Sequence, residues 1–194
     1  WRVFTGNSIF EMRYYSVMLS LLGIVLAYRL GKSLFNERAG LFAALFYGLH
    51  DLVNVLAQEV RHYPQQMLLV TLTMWLYWRF YQQVSREQSP SRSRAIAFIL
   101  AGTALLYTHY WGGFILFGMG LHTLLTQWHN RPTFRRLFTA FVGIALLYLP
   151  WLPVLVHQIS LERPGGLPHA LENSHWVYRV LLYQLLGTPE VLWL

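Results

Sequence analysis

The sequence predicts an all-α, multi-pass transmembrane helical bundle, and three observations carry that prediction. Apolar runs long enough to cross a bilayer recur along the chain. Charged residues are scarce, at 12%, where a soluble domain carries about 25%. Lys and Arg collect in alternate connections between the apolar runs. Consistent with this, 55% of the residues are hydrophobic and the mean hydropathy is +0.36. The 8 Trp and 12 Tyr suit the membrane–water boundary, where one end of the ring is apolar and the other wet.

A hydrocarbon core of about 30 Å needs about 20 apolar residues in a helix. The first run covers 14–30 and continues to Phe35; a polar loop, Asn36-Glu37-Arg38, leads into the second, 39–57. The third opens at Pro64, a good first helical position, and ends at Tyr81; the polar segment 82–94 follows. Residues 95–127 would make one helix of about 50 Å, too long for a bilayer. Gly112-Gly113, beside the polar Thr108-His109-Tyr110, offers a break, so two shorter spans, 95–111 and 114–127, are expected. The sixth span is 134–156, its end shaped by Pro150 and Pro153. A loop, 157–175, precedes a last apolar stretch, 177–194, which reads as incomplete. With Trp1 rather than Met at the start, both ends are expected to be truncations of a single transmembrane domain, 1–194, of six or seven spans.

Orientation follows from the Lys and Arg positions. Arg29/Lys32/Arg38, Arg79/Arg86/Arg92/Arg94 and Arg131/Arg135/Arg136 hold 10 of the 15 and fall on one side, expected to be the cytoplasm. The net charge of +7 therefore describes topology. Nucleic-acid binding is excluded, because the basic residues sit in short loops with no basic face or stacking platform. No cysteine is present, so neither disulfides nor thiolate chemistry enter. Phosphate loops, dinucleotide fingerprints and nucleophile elbows are also missing, and no His pair has ligand spacing for a metal. No cofactor is assigned; a divalent metal is left open.

The remaining polar groups gather on the outer side: Glu11, Asp51, Glu59, Glu162 and Glu172, with His50, His62, His109, His157, His169 and His175. The sharpest cluster is Gln58-Glu59-Val60-Arg61-His62-Tyr63-Pro64, between the second and third spans. Arg61 runs against the positive-inside trend, and ionisable groups at membrane depth have a partner or a task. Glu59 is its obvious ion partner. The helix opened by Pro64 turns its free N–H groups to the same region, where an anion is favoured, and Arg offers a planar fork for phosphate. These residues suggest a lipid phosphate; a Glu59–Arg61 pair that only fixes the loop is the bland alternative. Tyr107-Thr108-His109-Tyr110-Trp111 is the second cluster: a ring for a sugar or phosphate, or an interfacial belt. Glu11 and Arg13 flank the first span, where charges are commonly anchors. Asp51 and His50 lie inside an apolar run and have no assigned role.

Several of these residues fall into an order that resembles a known family. Glu11-x-Arg13, Ser16 and Leu22-Gly23, then Tyr28-Arg29-Leu30-Gly31 and Arg38-Ala39-Gly40, resemble the opening of the polyprenyl-phosphate-sugar-dependent glycosyltransferases of GT-C type. More particularly they resemble the bacterial, family 39-like group related to protein O-mannosyltransferases and the aminoarabinose transferase of lipid A. Gln58-Glu59-x-Arg61-x-Tyr63, Tyr107-Thr108-His109-Tyr110 and Leu149-Pro150-Trp151-Leu152-Pro153 match further landmarks in order. Departing from the pattern, His50-Asp51 stands where an apolar or Ser-Pro-like run is expected.

The resemblance implies an inverting transferase in a bacterial plasma membrane, its active site on the non-cytoplasmic side. It would move a sugar from a polyprenyl-phosphate donor to a hydroxyl of a protein, glycolipid or wall polymer. Arg13 and Arg61 would lie near the donor phosphate, Glu59, His62 and Tyr63 would shape that site, and His109 and Tyr110 would border it. The catalytic acid of the family, an Asp in the first outer loop, would stand upstream of Trp1. Two other classes remain open: a transporter or flippase, which would place charges near the midplane or show repeats, and a structural membrane subunit, in which Arg61 and Glu59 would be replaceable.

Overall fold

The computed structural model describes residues 8–59, 61–86 and 92–161, and among these every regular element is helical. The order is α1 (Ile9–Leu34), α2 (Glu37–Leu49), α3 (Asp51–Gln58), α4 (Tyr63–Ser85), α5 (Arg92–Thr108), α6 (Gly112–Gln127) and α7 (Arg131–Tyr148). A 3₁₀ turn, Leu149–Trp151, and α8 (Leu152–Leu161) follow. The described residues up to Pro150 form one compact unit, and those from Trp151 onward belong to a second. The expected apolar stretch 177–194, together with Arg2, Glu87, Glu162, Arg163, His169, Glu172, His175 and Arg179, lies outside the described residues.

Local chemistry sets most boundaries. Ser8 and Glu11 form a reciprocal capping box at the start of α1, with Glu11 N–H donating to Ser8 Oγ at 3.1 Å and Ser8 N–H to Glu11 Oε2 at 3.2 Å. Glu11 is thereby a capping residue. Asn36 caps α2 by accepting from Ala39 N–H, and Asn130 caps α7 by accepting from Thr133 N–H. The segment 82–94, expected as a loop, is shorter than expected. Helix α4 continues to Ser85 because Val84 is fully buried and Gln83 nearly so.

The second expected span is broken. Helices α2 and α3 meet at an angle of 53°. His50 ends the first and caps the second, its Nδ1 accepting from Leu52 N–H at 3.2 Å. Asn54 Nδ2 donates to the carbonyls of Gly48 and His50, satisfying backbone groups that a broken helix frees. The His50-Asp51 pair is thus the break itself.

Between the other helices, Gly31 and Gly40 let α1 and α2 touch backbone to backbone. A methyl at Gly40 would lie 2.7 Å from the Tyr28 carbonyl oxygen, and one at Gly31 would lie 3.0 Å from Gly40 Cα. Small residues at such crossings are the usual route to close packing in lipid. Helices α4 to α7 share one core, centred on Tyr77, Phe80, Phe98, Leu116, Leu137 and Ile144. Phe42, Phe46, Phe114, Phe117 and Leu125 point outward. Such an arrangement is costly in water and natural in lipid.

Two helical stretches are long and apolar enough to cross a membrane, Phe10–Leu34 and Arg131–His157, or three if the bent α2–α3 pair is one span. Helices α5 and α6, at 17 and 16 residues, stand at the short limit of spanning length. The molecule is an all-α membrane bundle.

Candidate functional site

The link between α3 and α4 and the turn between α5 and α6 come together at one end of the bundle. Arg61 Nε lies 3.5 Å from Glu59 Oε2, with both side chains partly solvated. The pair expected from the sequence is therefore present. An exposed ion pair of this kind contributes about 0–1 kcal/mol, too little to be the reason for placing Arg61 there. The Glu59 carbonyl accepts from Ser16 Oγ at 3.0 Å, and Ser16 is fully buried. That bond pins the link to α1.

His62 stands immediately before α4 and makes no side-chain cap to it. Its ring lies 4.5 Å, centroid to centroid, from Tyr63 and 5.1 Å, nearly parallel, from His109. His109 in turn lies 4.4 Å from Tyr110. Gln65 Nε2 donates to Thr108 Oγ1 at 3.3 Å, joining two helices across 43 residues of sequence. Four of the residues singled out from sequence, His62, Tyr63, His109 and Tyr110, thus form one aromatic run with Arg61 beside it.

The turn that presents His109 is built by backbone bonds from Gly112 N–H to His109 O and from Gly113 N–H to Tyr110 O. A methyl at Gly112 would lie 2.6 Å from Leu105 Cγ, so a larger residue there would displace the buried Leu105 side chain. His109 Nδ1 accepts from Trp111 N–H at 3.2 Å. In the neutral ring the proton therefore resides on Nε2.

His62 resists protonation. Partial burial, then the neighbouring His109, then the Arg61 charge hold its pKa below the usual imidazole range. Its Nε2 is buried with no hydrogen-bond partner among the described residues. Arg13 is exposed on α1, one turn before Ser16, and makes no ion pair among the described residues. The helix register places it on the side where Ser16 meets the Glu59 carbonyl. Among the described residues no three His, Asp or Glu side chains stand close enough to hold a metal ion.

Sequence reasoning gave Ser16 and Gln65 no role. Ser16 carried a signal, as a hydroxyl on an apolar helix face one turn beyond Arg13; Gln65 is distinguished only by following Pro64.

A family model described as dolichyl-phosphate-mannose-protein mannosyltransferase matches residues 2–157. The chain belongs to that family. It is a membrane glycosyltransferase of the GT-C type. The mannosyltransferase-family match covers the whole of the α1–α7 bundle and both halves of the His62–His109 cluster. Searches of curated proteins and of solved structures found no match.

Proposed function

We propose that this chain is part of a transferase that moves a sugar from a polyprenyl-phosphate donor to an acceptor hydroxyl on the non-cytoplasmic side. The observation that carries this reading is the meeting of the Arg61–His62–Tyr63 link with the His109–Tyr110 turn, in a chain of the mannosyltransferase family. The family description names a lipid-phosphate sugar donor and a protein acceptor; the acceptor here is a protein, a glycolipid or a wall polymer.

In the transfer a carboxylate takes the proton from the acceptor hydroxyl, the oxygen attacks the anomeric carbon, and the lipid phosphate leaves. The leaving phosphate gains charge, so cations and N–H donors aimed at it lower the barrier. Arg61 supplies a guanidinium fork at the cluster. Arg13 would bring a second from α1. The start of α4 adds a helix N-terminus that no side chain caps. Glu59 orients Arg61, and His62, Tyr63, His109 and Tyr110 present ring faces and edges to the sugar-phosphate. Glu59 pairs with Arg61 and is not assigned as the general base.

In the complete protein, Arg61→Ala should lower turnover from a polyprenyl-phosphate-sugar donor by about 100-fold, the usual loss on removing one transition-state donor. The acceptor product would be measured in proteoliposomes, with correct insertion checked by an unchanged melting temperature. Full turnover in a well-folded Arg61→Ala protein would overturn the proposal and favour a structural subunit.

A further inference from the structure

At the far end of α1 and α4 a second concave site of about 610 Å³ opens, lined by Tyr28, Arg29, Lys32, Trp75, Arg79 and Gln82 among others. It is well separated from the His62–His109 cluster: 15 residues along α4, from Pro64 to Arg79, rise about 23 Å at about 1.5 Å each. Trp78 Nε1 donates to Ser33 O at 2.8 Å and locks the two helices together there.

Two guanidinium groups converge on a single indole. Arg29 Cζ and Arg79 Cζ each lie 5.9 Å from the Trp75 ring centroid. Both arginines are exposed, and neither makes an ion pair among the described residues. Lys32 completes the set, over the Tyr28 ring at 5.6 Å and paired with Glu37 at 3.2 Å. Three cations therefore line one hollow, with aromatic rings as its wall. Cytoplasmic topology signals explain why positive residues lie on this side. They do not explain why Arg residues from two helices meet on one ring, since scattered loop charges orient a membrane protein equally well.

We propose that this hollow binds a phosphate-bearing anion, and that the occupant is the headgroup of an anionic phospholipid in the leaflet opposite the catalytic side. Two arginine forks suit phosphate oxygens, and Trp75 and Tyr28 suit the headgroup level of a bilayer. The surface potential of an anionic leaflet draws such a cluster to it. Soluble phosphate shares the recognition chemistry, and the test separates the two.

The complete protein, in nanodiscs of phosphatidylcholine with and without phosphatidylglycerol, is melted alongside an Arg29→Gln/Arg79→Gln variant. Phosphatidylglycerol should raise the melting temperature of the parent, and the variant should lose most of that rise while melting like the parent in phosphatidylcholine. An equal rise in both proteins overturns the proposal. A rise produced by inorganic phosphate in phosphatidylcholine discs assigns soluble phosphate and overturns the lipid reading. Should the double variant melt early in phosphatidylcholine, photoactivatable phosphatidylglycerol is applied to the parent. Cross-links on peptides containing Arg29 and Arg79 support the site, and cross-links confined to other helices overturn it.

Discussion

His62 shows how one side chain joins fold to chemistry. Its ring is held between Tyr63 and His109, in surroundings that disfavour the imidazolium. An imidazole in the unfolded chain titrates near about 6.5, so at mildly acidic pH the unfolded state binds the proton and the folded state resists it. The stability contributed by neutral His62 is fully present above that pH and is lost as pH falls toward the lowered folded value. The melting temperature of the complete protein should therefore drop between about pH 7 and pH 5, and His62→Gln should flatten that drop. An unchanged slope in the variant would show that His62 does not resist protonation. Ser16 works differently. It is fully buried and ties the Glu59 carbonyl to α1, so it positions Arg61 without facing the site.

Among the elements, the α1–α2 hairpin depends on glycine. Gly31 and Gly40 belong to the short sequences that suggested the family, and the structure gives them a physical reason: the two backbones meet there. Gly40→Val would force the Tyr28 carbonyl away and should destabilise the protein by about 1–3 kcal/mol, read as a lower melting temperature in detergent. Gly120 has open space around its Cβ position, so Gly120→Ala should melt at or above the parent temperature, since alanine suits a helix better. Equal melting of Gly40→Val and the parent would remove the close crossing. The His50 break is another property of elements. A His-Asp pair in an apolar run reads as misplaced polarity, and only the position of Leu52 N–H at its Nδ1 identifies it as a cap.

For the whole molecule the central question is which end faces which side. The chain has no native cysteine, so each introduced thiol among these residues is unique. Gln58→Cys and Trp111→Cys lie at the end with the candidate site, and Phe35→Cys and Trp128→Cys lie at the other; all four positions are exposed. A membrane-impermeant thiol reagent added to intact cells should label the first two and spare the others. The opposite pattern would invert the topology and move the candidate site to the cytoplasm. The two ends of the bundle also differ in kind. One gathers histidine and aromatic rings around Arg61, and the other gathers paired arginines around Trp75.

Fold class was legible because burial in lipid is read residue by residue: apolar length and charge placement are local properties, and they sum along a helix. The same local signals exposed a break beside Gly112-Gly113, which the structure places at His109–Trp111 with both glycines in the first turn of α6, and the Glu59–Arg61 pair, whose members are two residues apart. The meeting of His62 with His109, the pinning of Glu59 by Ser16 and the convergence of Arg29 and Arg79 on Trp75 were decided by tertiary structure. Each joins residues on different helices, and which helices touch depends on where glycines permit close approach and which side chains interlock there.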